Sequence, residues 1–274
     1  LEFRRVLFRS ISRITVIISR KLLKSYKGDY QMSDTPVGAI ILGAGKGTRM
    51  KSDLPKVLMP VDGKPMIRHI IDTLEELKVD KIVTVIAPDG DPVKKEVAPY
   101  PTCIQEKQLG TGHAVLSARG EFRGFKGDVL VIFGDQPLYT KESMRKLLRK
   151  RAQGYSVVCM GFRPADPARY GRLIMEGDNL KHIVEYKDAS DEEKAITFCN
   201  SGIMCFDGEK LFAILGAISN ENAAGEYYLT DAVEIALRMG LKCSAVECPV
   251  EEASAANTLE ELALLEELIK KRKK

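Results

Sequence analysis

The stretch Gly43–Lys56, GAGKGTRMKSDLPK, sets three glycines and several cations directly after an apolar run, VGAIIL. Glycine backbone lets N–H groups approach phosphate oxygens closely, because no side chain intervenes. Arg49 can fork onto two such oxygens, while Lys56 is a movable point charge. The chemistry is therefore phosphate binding, with a tight turn carrying solvated cations as the plainer alternative. Two common phosphate loops do not fit. Thr48 stands where both the P-loop and the dinucleotide fingerprint place a glycine.

A second candidate is Asp135 in GDQPL, which follows another apolar run, DVLVIF. A carboxylate at the end of a strand suits Mg2+, a hard ion that takes oxygen ligands and shares them with phosphates. A turn or helix-cap aspartate is the competing reading. The six cysteines form no C-x-x-C pair, which excludes the usual zinc pattern. Buried free thiols in a reducing, cytoplasmic compartment are expected instead. Three histidines alone do not make a metal site.

These residues need strands and helices to place them. Val37–Leu42, Lys81–Ala87 and Asp128–Phe133 read as buried strands. KPMIRHIIDTLEELK, with Pro65 in its first turn, reads as a helix, as do GTGHAVLSARGEF and Thr140–Ala152. In the last of these, Thr140 is the expected cap and Glu142–Lys146 an ion pair. The alternation predicts an α/β fold with a mostly parallel, Rossmann-like sheet covered on both faces. After residue 153 the shorter strands YSVVCMGF, GRLIME, HIVEY and FCNSGIMCF predict an added small β-rich portion. Helices are expected at 207–215 and 227–238, then the strand LKCSAVEC and a last helix from Thr258. In such a sheet the ligand lies beyond the carboxyl ends of the strands, where both candidate stretches fall.

The bulk composition is ordinary for a globular chain: 274 residues, 45% apolar and 29% charged. No window approaches a membrane span. Residues 1–31 are basic and nearly free of acids, as in a transit peptide. Leu1–Ser10, however, reads as the frame translation of a common sequencing adapter. Residues 1–31 are thus expected to be irregular upstream sequence, with Met32 as the natural start. That segment holds eight Lys/Arg and two acids, so the rest has 34 basic against 36 acidic residues, a net charge of −2. The overall charge of +4, the one hint of nucleic acid, belongs to it. Residues 32–257 are expected to form one domain, and 258–274 a helix with a short basic tail.

Seven stretches occur in order: LGAGKGTRMKSDLPKVL, QEKQLGTGHA, FGDQPL, RYGRL, IVEYKDA, FCNSGI and GEYYLTD. Together they resemble the pyrophosphorylase domain of bacterial N-acetylglucosamine-1-phosphate uridyltransferases, of the nucleotide-diphospho-sugar transferase family. The resemblance implies Mg2+-dependent transfer of a uridylyl group from UTP to N-acetylglucosamine-1-phosphate, for cell-envelope precursor synthesis. It implies that Leu42, Gly43, Ala44 and Gly45 line the nucleotide, with Arg49 and Lys56 on its phosphates. Gln105, Gly110 and Thr111 would read the uracil edge. Phe133, Gly134, Gly171, Glu185 and Asn200 would meet the sugar, and Asp135 and Asn257 would hold Mg2+. The partners implied are small molecules, not nucleic acid or membrane, and an oligomer is left open.

Three positions depart from the family: Gly43 replaces a usual Ala, Phe133 a usual Tyr, and Ala255 a usual Gly. The loss of one hydroxyl at Phe133 bears on sugar selectivity. No hexapeptide repeat is present, so acetyltransferase activity is not expected. The alternatives are the same chemistry with another base or sugar, or a silent sugar-nucleotide-binding subunit.

Overall fold

Apolar runs without alternation need cover on both faces, and the chain supplies it in a computed structural model. The structure describes residues 35–272 apart from 46, 48, 49, 51, 53 and 223. The expectations for residues 1–31, for Arg49 and for the final two lysines lie outside the described residues.

β1 (Val37–Leu42) enters the glycine loop, and a hairpin of β2 (Pro60–Val61) and β3 (Lys64–Pro65) precedes α1 (Met66–Leu77). Then come β4 (Lys81–Ile86), α2 (Asp91–Glu96), β5 (Thr102–Ile104), α3 (Thr111–Ser117), β6 (Asp128–Phe133) and α4 (Lys141–Arg151). β7 (Val157–Phe162), β8 (Arg172–Glu176), β9 (Asn179–Val184), α5 (Asp191–Lys194) and β10 (Cys199–Asp207) follow. The chain continues through α6 (Gly208–Leu215), α7 (Ala232–Arg238), β11 (Cys243–Glu247) and α8 (Leu259–Arg272).

The main sheet runs β11-β7-β10-β6-β1-β4-β5. Its neighbours are parallel except β10, which is antiparallel to both β6 and β7. The chain passes from β1 to β4 on one side and returns through β6 on the other. β1 and β6 therefore frame a switch point, with Leu42 level with Phe133 at their carboxyl ends. The β8–β9 hairpin hangs from β10 through a single pairing, Cys199 with Arg172. This hairpin and its flanking loops are the added β-rich portion. β7 and β10 extend the main sheet instead, because their side chains are buried on both faces along most of their length.

Several local expectations change. The hairpin was not legible as one, although Asp62-Gly63 with both residues at positive φ is its turn. It places Pro65 just before α1, not inside it. α3 stops at Ser117, because Ala118–Phe125 turns back on itself through Glu121 N–H to Ala118 and Phe125 N–H to Phe122. Residues 227–228 are extended and only Leu229–Asp231 begins to wind, since Tyr227 is pinned by both its backbone groups near the start of α3. Thr140 does cap α4, accepting from Ser143 N–H at 3.3 Å. Glu142 pairs with Arg145 (3.6 Å), not Lys146, whose ammonium donates to the Glu247 carbonyl at 2.9 Å.

α8 is held by a satellite core. Leu265 and Ile269 pack with Met50, Met59, Val61, Met66, Leu138 and Ala256. Each of those two buried side chains contributes on the order of 1.5–3 kcal/mol. Leu259 is half exposed and leaves that stripe. All six cysteines are free, and burial pushes the thiols of Cys243 and Cys248 up to about 12. No helix among the described residues is long and apolar enough to cross a membrane.

At the opposite end of β6 from Phe133, Asp128 is buried beside Arg151 (3.0 Å), which also reaches Asp207 (3.4 Å). The Asp128 Oδ1 and Arg151 Nε atoms lie close without a hydrogen bond. Burial pushes Asp128 up to about 6, with Asp207 adding to the rise and Arg151 opposing it. The folded state therefore binds this proton more tightly than the unfolded chain, whose aspartates titrate near 4. Asp128 thus makes stability fall as pH rises between about 4 and 6. Asp128→Asn is expected to remove that falling component. Denaturant unfolding at pH 4.5 and 6.5 checks it: the variant should gain relative to wild type at the higher pH.

Candidate active site

The glycine loop and the 3-10 turn Lys56–Leu58 bring Lys56 back under the carboxyl end of β1. Gly47 permits this. It sits at φ +58°, and a Cβ there would stand 2.6 Å from the Lys56 Cβ. Across the crevice, Gly134 N–H donates to the Leu42 carbonyl (2.9 Å), which ties the end of β6 to that of β1. Asp135 follows directly.

The Lys56 ammonium donates to the Asp135 carboxylate and to Asn257 Oδ1 at 2.8 Å. The chain separation from Lys56 to Asn257 is 201 residues. Ala256 N–H donates to the Asp135 carbonyl (3.2 Å), and Glu261 accepts from Asn257 N–H (2.5 Å). The segment before α8 is thereby docked on the loop after β6. Lys56 and Asp135 are only 13% and 18% exposed, so their attraction is less screened than that of a surface pair.

Asp135 and Asn257 turn two hard oxygens toward one positive charge. That donor set fits Mg2+, which takes one or two protein oxygens and fills its shell with phosphate and water. Among the described residues no group of three or more His, Cys, Asp or Glu could form a closed metal cage. The residues thus fit a divalent ion completed by its substrate.

Two adjoining cavities open here. The first, about 350 Å³, is lined by Leu42, Ala44, Gly45, Lys56, Gln105, Gly110, Thr111 and Asp135, among others. Gly43 is set back, its N–H bonded to Val85 at 2.8 Å. At the far end, Gln105 is 4% exposed and donates through Nε2 to the Gly110 carbonyl (3.1 Å) and to His113 Nδ1 (3.2 Å). Its amide oxygen is the acceptor left for a ligand. Gly110 has φ +111°, and a Cβ there would stand 2.7 Å from the Tyr227 carbonyl oxygen. Gly110→Ala is expected to push the α3 start off Tyr227 and lower stability by about 1–3 kcal/mol. Denaturant unfolding reads it, and an unchanged midpoint contradicts it.

The second cavity, about 700 Å³, shares Thr111, Phe133 and Glu226 with the first. Glu185, Asn200, Tyr186, Asp188, Arg169 and Thr230 also line it. Burial pushes the Glu185 carboxyl above the usual range; Thr230, donating at 3.4 Å, opposes this, and Asp188 and Asp231 add to it. Gly134 and Gly171 do not line the cavity. Gly171 acts through its carbonyl, which accepts from Asn200 N–H at 2.8 Å. The Phe133 ring lies over Gly202, and Phe133 lines both cavities.

The geometry also adds residues. Gln108 donates to the Ala44 carbonyl and lines the first cavity, while Glu226, Tyr228 and Thr230 line the second. Their signal was present in QEKQLGTGHA and GEYYLTD, but only as motif letters without assigned roles.

Residues 39–196 match the model of the MobA-like NTP transferase domain. The chain belongs to that family. As a member it is a nucleotidyltransferase domain, in keeping with a phosphate-type loop and a switch-point crevice. It is 49% identical over 240 residues to the bifunctional protein GlmU of Rhodospirillum rubrum, covering 87% of this chain and 54% of that protein. The GlmU of Paramagnetospirillum magneticum is 45% identical over 243 residues, covering 88% of this chain and 54% of that protein. The chain thus spans about half the length of these relatives. A solved Bacillus anthracis structure assigned as a glucose-1-phosphate thymidylyltransferase, in complex with sucrose, shares the fold. Its TM-score is 0.69 at 21% identity, over 85% of this chain and 94% of that one.

Proposed function

We propose that the chain transfers a uridylyl group from UTP to N-acetylglucosamine-1-phosphate, releasing pyrophosphate. The observation that carries this reading is the Lys56 ammonium held between Asp135 and Asn257 beside two joined cavities. One cavity suits a nucleotide and the other a sugar, with the charged cluster near their common wall. The similarity to GlmU proteins supports the choice of base and sugar.

The sugar phosphate oxygen is already an anion, so no general base is required. It attacks the α-phosphorus in line, and pyrophosphate leaves opposite. Lys56 neutralises phosphate charge once Asp135 and Asn257 turn to Mg2+. Bound there, Mg2+ would supply Lewis-acid stabilisation of phosphate charge. Arg49 is proposed as a second phosphate cation. Gln105 Oε1 accepts from the uracil N3–H, and backbone N–H groups at Gly110 and Thr111 serve a uracil carbonyl. Leu42, Ala44 and Gly45 floor the nucleotide, with Gly43 setting their backbone. Glu185 and Asn200 take sugar hydroxyl and amide groups, and Gly171 and Gly134 hold the backbone that presents them. Rate enhancement comes from positioning and charge neutralisation. A cytoplasmic setting is part of this reading.

The test is pyrophosphate release from UTP, with and without N-acetylglucosamine-1-phosphate and Mg2+, beside dTTP, GTP and other sugar phosphates. Release is expected only with UTP, that sugar phosphate and the metal together. No release under any condition sinks the reading. Equal use of dTTP replaces it by a thymidylyl transfer.

A further inference from the structure

Arg172 is the largest fully buried side chain in the described chain, at 2% exposure. Among the described residues it has no carboxylate partner. Its guanidinium is spent on backbone carbonyls from two segments. On one side it donates to Pro167 (3.4 Å), Ala168 (3.3 Å) and Tyr170. On the other it donates twice to Lys194, at 3.4 and 3.3 Å, at the end of α5. The Tyr186 ring lies 5.8 Å from it.

The two segments are the rims of the second cavity. One carries Arg169; the other carries Tyr186, Lys187 and Asp188 beyond Glu185. They leave the open end of the β8–β9 ladder, whose last pair is Arg172 with Val184, and no strand pairing among the described residues joins them beyond it. β8 and β10 pair at only one position, Cys199 with Arg172. α5 closes its own start with a Ser190–Glu193 capping box and offers its last carbonyl to Arg172. Ala168 holds a left-handed φ of +39°, costly for a residue with a Cβ, and its carbonyl points to the same guanidinium. A buried charge is tolerated only when its donors are satisfied, and a planar five-donor fork is the one side chain that can bridge both rims at once.

We infer that Arg172 is a clasp that fixes the spacing of the two rims, and so a positioning residue for the sugar phosphate. Its sugar-side consequence rests on the function proposed above; the clasp itself does not. The guanidinium lies beneath the rims and is not placed on substrate.

Arg172→Lys and Arg172→Met in the full chain test it. Lysine keeps the charge but serves one rim at a time. In both variants the KM for N-acetylglucosamine-1-phosphate is expected to rise about tenfold, and the KM for UTP to stay within about twofold. Hydrogen exchange is expected to speed up together at residues 165–171 and 186–195, and to stay unchanged in β1 and β6. Unchanged exchange at either rim overturns the clasp, whether or not the enzyme turns over. Faster exchange with an unchanged sugar KM overturns the positioning role, as does an equal rise in both KM values. A wild-type chain without turnover overturns the proposed reaction, and the exchange result still decides the clasp.

Discussion

Asp135→Asn is expected to lower kcat by about 10²–10³ and to raise the Mg2+ concentration needed for half-maximal rate. The substitution keeps the size of the side chain and one oxygen acceptor for Lys56. What it removes is the carboxylate charge at the point where Lys56 and Asn257 Oδ1 converge. Mg2+ gains most of its protein affinity from such a charge, and Asn257 alone offers only a neutral amide oxygen. The fold should barely notice, because the loop is also held by backbone bonds from Gly134 to Leu42 and from Ala256 to Asp135. Turnover measured across a Mg2+ titration, with thermal unfolding as the control, decides it. A rate within about threefold of wild type at every Mg2+ concentration would take Asp135 out of the metal role.

Lys56→Ala is expected to produce a rate loss of the same order, about 10²–10³ in kcat/KM for UTP, with the opposite metal dependence. The ammonium sits on the same two oxygens that Mg2+ would use. With it gone, those oxygens no longer have a resident competitor, so half-maximal rate should come at lower Mg2+. The two variants therefore separate phosphate neutralisation from metal holding. If Lys56→Ala needs more Mg2+, as Asp135→Asn does, then Lys56 serves only to orient the carboxylate. The alanine also loses the bonds to Asp135 and Asn257, so a modest fall in Tm is expected beside the kinetic effect.

Much of the site could be read from residue letters. The apolar run into GAGKGTRM and the one into GDQPL place a glycine loop and an acid at two strand ends, because period and turn chemistry are local properties. The strands β1, β4 and β6 were legible for the same reason: they are buried on both faces and read as unbroken apolar runs. The hairpin at Asp62-Gly63 and the short β5 were missed, since two or three residues carry too little pattern to stand out. Glu142–Lys146 failed because helix spacing permits an ion pair but does not exclude a better acceptor on β11.

By itself, the sequence determined the fold class, the glycine loop after the first strand and the presence of Lys56 and Asp135. Those follow from short-range pattern. Only the tertiary structure decided that Lys56, Asp135 and Asn257 share one point, across 201 residues, and that Gln105 lines the first cavity with its amide nitrogen held by Gly110 and His113. It alone showed Phe133 lining two cavities and Arg172 as the bond between two rims. Such convergence depends on which strands become neighbours and how loops dock. Those choices are fixed by the summed packing of the whole core, not by any local run of residues.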